Sequence, residues 1–200
     1  ISTAEAEDHI FGIVLFNDWS ARDIQRWEYV PLGPFLGKSF ASSMSPWIVT
    51  LDALEPFRVP GPSQNPPVLP YLEFTGNKHF DINLKVYLQT PNHNSTLISE
   101  TNTRYLYWNI NQQLAHQTSN GCNIQVGGIY ASGTISGTEP NSYGSLLELS
   151  WNGSKPITLD DGISRTFLED EDTVIFKGCA ERNGIRIGFG EVRTKILPAI

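Results

Sequence analysis

Four residues near one end of the chain have the means to do chemistry together: Asp18, Arg22, Gln25 and Lys38. A carboxylate, a guanidinium, an amide and an ammonium can hold an anionic substrate or donate to negative charge as it develops on oxygen. Asp18, Arg22 and Gln25 stand at i, i+4 and i+7, which gathers them on one face if the stretch after Ser20 turns helical. Immediately before them runs Ile13-Val14-Leu15-Phe16, the apolar pattern of a fully buried strand. Charged groups at the mouth of such a strand are costly unless each has a partner or a ligand. An N-capped turn with Asp18 paired to Arg22 meets that demand as well as a functional site does. Asp23 lies five positions beyond Asp18, points to another face, and reads as structural.

The elements that must position these groups follow from periodicity and punctuation. Ser2-Thr3-Ala4-Glu5 is a capping-box pattern that opens a short helix to about His9. A turn or two of helix is expected from Ser20 to Trp27, then a loop from Val30 to Phe40, which carries two Pro and two Gly. Ser45 to Val49 enters a strand. Positions 56–70 hold six prolines, so an extended surface excursion is expected there. Asp81 to Leu88 alternates strictly and reads as a half-buried antiparallel strand, turned by Pro91 to Asn94 towards Thr96–Ser99. Leu106, Ile110 and Leu114 recur every four residues, which predicts one main helix over 103–117, ended by Asn120-Gly121. His116 in its last turn complements the helix dipole. The remainder reads as strand: Ile129 to Thr134, Leu146 to Trp151 joined through an Asn152-Gly153 hairpin to Lys155–Leu159, Thr173 to Phe176, and Ile185 to Val192. Asp160-Asp161-Gly162 lacks the further oxygens of a calcium loop and is a turn. The expected fold is a β-rich α+β single domain over residues 1–200.

Composition narrows the partners. Hydrophobic content of 40%, five Trp and 18% charged residues describe a globular chain with a real core. A net charge of −7 argues against nucleic acid or an anionic membrane as partner, while Arg22 and Lys38 leave room for a locally basic pocket. Cys122 and Cys179 form no CxxC pair and no disulfide framework, so a cytoplasmic setting is expected. No stretch approaches 18 apolar residues.

Asn17-Asp18-Trp19-Ser20-Ala21-Arg22-Asp23 resembles the signature of the fumarylacetoacetate hydrolase superfamily. The string from Gln25 through Gly33-Pro34-Phe35-Leu36-Gly37-Lys38-Ser39-Phe40 resembles the branch that gives the superfamily its name, and differs from that of the smaller acylpyruvases, decarboxylases and hydratases. The likeness continues through Gly121-Cys122-Asn123, Ala131-Ser132-Gly133-Thr134-Ile135-Ser136-Gly137 and Leu147-Glu148-Leu149-Ser150-Trp151. It implies a mixed β-roll, a homodimer when full length, and metal-dependent hydrolysis of a β-diketone carbon–carbon bond to fumarate and acetoacetate, the last step of tyrosine and phenylalanine degradation. Matched position by position, it implies catalytic roles for Arg22, Gln25, Lys38 and Glu148, and substrate contacts for Gln25, Tyr29 and Thr134. Metal contacts (Ca2+ or Mg2+) fall to Asp18, Lys38 and Ser42, the last where the family usually has Thr. Glu148 is implied to orient the catalytic histidine; an alternating strand with a solvent-facing carboxylate explains the same pattern. Glu5 and Glu7 mimic the family's Glu-x-Glu ligand pair, but stand too close to His9-Ile10-Phe11-Gly12 to match it, and read as first-turn glutamates. The remaining metal carboxylates and the catalytic histidine are expected to precede Ile1, so the 200 residues are expected to be a fragment, inactive alone. Alternatives are a related oxo-acid hydrolase or decarboxylase, and a non-catalytic homologue that kept the fold.

Overall fold

The computed structural model describes residues 1–199. Ser2 caps the first turn as its spacing predicts: its Oγ donates to Glu5 Oε2 at 2.7 Å, and the Glu5 N–H donates back to Ser2 Oγ at 3.3 Å. The turn it closes leads into a single 3-10 turn, Ala6–His9, whose own N-cap is Glu5. The apolar run then divides into two short strands, β1 (Gly12–Ile13) and β2 (Phe16–Asp18), of which only Leu15, between them, is buried. A continuous buried strand over 13–17 is thus not formed. Two helices follow, α1 (Arg22–Leu32) and α2 (Leu36–Ser39), then β3 (Ser42–Met44), β4 (Val49–Thr50), α3 (Leu51–Leu54) and β5 (Arg58–Val59). β1 pairs with β4 and β2 with β3, both antiparallel, so the chain folds back on itself around α1 and α2.

The proline-rich excursion runs between β5 and β6 (His79–Phe80), which pair with each other. It is an ordered strap, held through Gln64. That side chain donates to Tyr107 O at 2.9 Å and exchanges amide hydrogen bonds with Gln112 at 3.0 and 2.9 Å. β7 (Asn83–Gln89) and β8 (Thr96–Asn102) are the alternating hairpin. The following helix is shorter than its periodicity suggests. Thr103–Tyr105 is one 3-10 turn, and α4 spans Ile110–Thr118, so helix over 103–117 is corrected to 110–118. Asn109 sets that start: its side chain accepts from Gln112 N–H while Gln112 Oε1 accepts from Asn109 N–H. α1 breaks at Val30 (φ −116°, ψ 122°), so its regular part covers 22–29 and the nine residues of α4 form the longer unbroken helix.

Residues 129–134 form no strand, and Leu146–Leu149 is a helical turn, α5. Trp151, Asn152 and Gly153 do take positive φ, but they close that turn instead of joining two strands. β9 (Ile157–Thr158) and β10 (Ser164–Arg165) flank the Asp160-Asp161-Gly162 turn, in which Asp161 Oδ2 accepts from Thr90 Oγ1 at 2.6 Å. The long hairpin is β11 (Thr173–Arg182) with β12 (Ile185–Lys195). Its two linking residues, Asn183 (φ 53°) and Gly184 (φ 78°), have the left-handed backbone that a two-residue hairpin requires.

The main sheet is antiparallel in the order β12-β11-β7-β8, accompanied by four two-stranded ladders. The fold is therefore a mixed α+β arrangement of small sheets and few helices. Its core has two parts. Leu15, Leu54, Phe57, Phe80, Ile82 and Phe189 belong to one, and Trp19, Leu88, Leu159 and Val174 to the other. Leu15 and Trp19 thus bracket Asp18 in sequence and anchor it from both sides, each worth about 1.5–3 kcal/mol of burial. Hydrogen bonds fix the same two anchors. Leu15 N–H donates to Ser45 Oγ at 3.0 Å and Trp19 Nε1 to Ser43 Oγ at 2.8 Å.

Candidate functional site

β2 ends at Asp18, whose register partner on β3 is Ser42. The carboxylate does not pair with Arg22, because Asp18 still lies in the strand while the helix begins at Arg22. Its partner is Lys38: Nζ lies 2.7 Å from Asp18 Oδ2 and 3.3 Å from Asp18 O. α2 brings that lysine back. Ala21 N–H donates to Gly37 O at 2.8 Å, and a Cβ on Gly37 would meet Gln25 at 2.8–2.9 Å, so only glycine lets the two backbones approach. As a half-exposed pair, Asp18–Lys38 contributes at most about 1 kcal/mol of stability. Its meaning is positional.

Arg22 and Gln25, one turn apart on α1, meet as their spacing predicts: Arg22 Nη1 donates to Gln25 Oε1 at 2.8 Å and to Ser20 Oγ at 3.1 Å. Arg22 Nε is buried and has no hydrogen-bond partner. A buried donor left unpaired costs about 1–3 kcal/mol, and it is the kind of group that a bound carbonyl or carboxylate would satisfy. Because Asp18 and Lys38 neutralise each other, Arg22 carries the positive charge of this corner.

Asp18, Arg22, Lys38 and Thr134 all line one cavity of about 1990 Å³, whose apolar wall includes Leu84, Val86 and Phe176 of the main sheet. Gln25 reaches it through Arg22. Tyr29 does not line it and is 55% exposed on the later part of α1. Ser42 is exposed and, as Asp18's register partner, stands beside it on the same face of the ladder. Glu148 is not on a strand. It sits on α5, half-buried, with Oε1 accepting from Ser136 Oγ at 2.8 Å and Oε2 from Ser145 Oγ at 2.7 Å. The solvent-facing strand carboxylate is thereby excluded. Ser145 lines the cavity, so Glu148 stands one side chain behind the wall. Ser136 and Ser145 were not legible as site residues, although Ser145-x-x-Glu148 is itself a capping-box word.

The groups present do not by themselves make up a divalent-metal site. Asp18 supplies a single carboxylate, one oxygen of which Lys38 already holds, and a calcium ion takes six to eight oxygens. Among the described residues no three His, Cys, Asp or Glu come together. Glu7 is committed elsewhere, paired with Arg58 at 2.8 Å and Lys78 at 2.9 Å. Burial pushes its carboxyl up, but these cations outweigh that and hold it below the ordinary range. His116 Nδ1 meets Tyr71 OH at 2.9 Å, at the end of α4. Among the described residues no helix is long and apolar enough to cross a membrane.

A cavity edged by an ion pair and by a guanidinium with a spare buried donor can hold an oxygen-rich, anionic small molecule. The chain belongs to the family described as fumarylacetoacetate (FAA) hydrolase C-terminal, whose model it matches over residues 1–197. It is 56% identical over 200 residues to the fumarylacetoacetase of Arabidopsis thaliana and 55% identical over 201 residues to that of Homo sapiens. It is 52% identical over 202 residues to the fumarylacetoacetase of Dictyostelium discoideum. Each of these alignments takes in all of this chain, and the chain spans about half the length of the curated relatives it matches, 47–48%.

Proposed function

We propose that the protein carrying this chain hydrolyses the carbon–carbon bond of 4-fumarylacetoacetate to fumarate and acetoacetate, the closing step of tyrosine and phenylalanine breakdown. The observation that carries the reading is that Asp18–Lys38 and Arg22 line one cavity whose wall also includes Thr134, in a chain so similar to fumarylacetoacetases. In the reaction the oxygen of water bonds to the fumaryl carbonyl carbon, which becomes the new carboxyl of fumarate, and a water proton passes to a base. The electron pair of the broken bond leaves with the acetoacetate carbon as an enolate, which then takes up a proton. Arg22 donates to the oxyanion at the attacked carbon, with Gln25 setting its plane. Lys38, its charge balanced by Asp18, adds ammonium N–H donors at the same corner. Thr134 contacts substrate from the cavity wall, Tyr29, outside that wall, is a substrate contact on the family likeness alone, and Glu148, anchored by two hydroxyls, orients and charges a histidine base.

The expectation of Ca2+ or Mg2+ at Asp18, Lys38 and Ser42 is carried no further than Asp18 as one ligand, and no step is assigned to the metal. The mixed β-roll, the homodimer and a cytoplasmic location belong to the same reading, supported by the family alone. The test is to incubate the complete gene product with fumarylacetoacetate and measure fumarate and acetoacetate released. Equimolar release is expected. A preference for acylpyruvates, or decarboxylation of an oxo acid, would move the protein to another branch, and no turnover of any of these would make it a non-catalytic homologue.

A further inference from the structure

The turn between α1 and α2 is stitched by a carboxylate that the proposed chemistry does not use. Glu28 stands three residues after Gln25 on α1. Its Oε1 accepts from the N–H groups of Phe35 and Gly37, each at 2.7 Å, and its Oε2 from Leu36 N–H at 2.9 Å. Three consecutive backbone donors on one anion make a nest filled from within the chain. Burial alone would push the Glu28 carboxyl up; the bonds from Gly37, Phe35 and Leu36 outweigh it and hold the group below its ordinary range.

The segment it grips has little else to hold it. Every side chain of α1 is at least partly exposed, and Gly37 is the buried residue of α2. Val30 leaves helical geometry and Pro31 and Pro34 interrupt the chain between them. Hydrophobic packing therefore does not decide where α2 sits, since Trp27 (89% exposed), Leu32 and Leu36 all face outward. Yet Gly37 must lie against Gln25, and Lys38, the next residue, must reach Asp18. One backbone bond, Ala21 N–H to Gly37 O at 2.8 Å, and the three directional bonds to Glu28 set that placement. Those to Glu28 are charge-assisted, about twice as strong as neutral ones, and fixed in geometry.

We propose that Glu28 is the positioning residue of this site, which presents Lys38 to Asp18 and braces Gln25 against Arg22 by holding the backbone of residues 35–37. The kinetic consequence rests on the functional reading above; the structural one does not. Glutamine cannot replace it, because an amide turns an NH2 towards at least one of the three N–H groups.

The experiment compares wild type, Glu28→Gln, Lys38→Met and the double variant in the complete gene product. Amide hydrogen exchange at Phe35, Leu36 and Gly37 should quicken at least about tenfold in Glu28→Gln, with exchange in β11 unchanged. Acylation of Lys38 by an amine-reactive ester, mapped by mass spectrometry, should rise as its ion pair is released. In turnover, Glu28→Gln should lose about tenfold or more in kcat, with KM moved by less than about twofold. Added to Lys38→Met it should cost almost nothing more, because both changes remove one interaction. Unchanged exchange and unchanged Lys38 reactivity would overturn the proposal, as would losses that multiply in the double variant or an acceleration of exchange throughout β11. A wild type that cleaves no diketone overturns the functional reading alone, and exchange and Lys38 reactivity then decide for Glu28.

Discussion

Arg22→Met separates stability from turnover at this site. Methionine keeps most of the aliphatic stem, so packing changes little, while the guanidinium is lost. Its Nη1 makes two hydrogen bonds, to Gln25 Oε1 and Ser20 Oγ. Bonds from a charged donor are worth about 1.5–3 kcal/mol each at best, and both acceptors are half-buried and can turn to water. Against this, the substitution removes a buried Nε that has no partner, relieving about 1–3 kcal/mol. The two largely offset each other, leaving a net change within about 2 kcal/mol, or at most about 4–8 °C in Tm for a chain of this size. Turnover has no such compensation. A donor aimed at developing charge is worth about 2.7–4 kcal/mol, so kcat should fall by about 10²–10³. The assay is thermal unfolding beside steady-state hydrolysis of fumarylacetoacetate by the complete gene product. A raised KM with kcat intact would assign Arg22 to anchoring substrate. A collapse in Tm would mean that the guanidinium holds the fold and that its Nε is not waiting for a ligand.

Glu148→Gln should keep the fold, since the Ser136 and Ser145 hydroxyls can donate or accept, yet move the acid limb of the pH–rate profile to lower pH, because a histidine loses the anion that raised its pKa; an unmoved profile would reduce Glu148 to a cap of α5. Asp172, 0% exposed, takes Arg165 Nε at 2.9 Å, Arg165 Nη2 at 3.1 Å and Glu169 N–H at 2.9 Å, so Asp172→Ala leaves the largely buried guanidinium only the exposed Glu169 carboxylate at 3.2 Å as counter-charge. A loss of about 3–5 kcal/mol is expected in urea unfolding, and a loss below about 1 kcal/mol would mean that water reaches Arg165. Acid unfolding should come in two stages. Burial, partly countered by the bond to Leu106 O, holds His79 below the ordinary histidine value, so the unfolded chain takes a proton first and stability falls as pH drops below about 6.5. Glu7 and Asp81, held low against burial by their cations, contribute stability that is full above the ordinary carboxylate range and lost as pH falls through their folded values. Urea midpoints from pH 8 to 3 should show both stages, and His79→Gln should abolish the first; a single step confined to the carboxylate range would refute the assignment.

Where one physical cause acted alone, the sequence could be read. The alternation of β7 needed only a half-buried sheet, and Arg22 and Gln25 met because both lie on one helix. Misreadings came where two causes compete. Leu106, Ile110 and Leu114 share a helical period, but the Asn109–Gln112 box starts the helix at Ile110 and leaves Leu106 before it. Leu146 to Leu149 looks like strand by its apolar content, and Ser145 caps it into a helical turn. Asn152-Gly153 and Asn183-Gly184 carry the same left-handed backbone, yet only the second has strands on both sides, which depends on pairing with β7 far along the chain. At the site, Asp18 and Arg22 have helical spacing without a common helix. The pairing that formed instead, Asp18 with Lys38, spans twenty residues and required α2 to fold back.

The amide pair that fastens the proline-rich strap also sets how the molecule ages chemically. Gln64 Nε2 donates to Tyr107 O and to Gln112 Oε1; Gln112 Nε2 donates to Leu72 O and to Gln64 Oε1. Every N–H of both amides is therefore committed to an oxygen. Loss of ammonia from either side chain would replace a donor with a charged acceptor facing carbonyl oxygens, inside the protein at Gln112, which is 1% exposed. Gln64, half-buried, is the member that solvent reaches first. A preparation stored warm and alkaline should thus lose its strap before it loses its sheet, through a reaction that cuts no bond in the backbone.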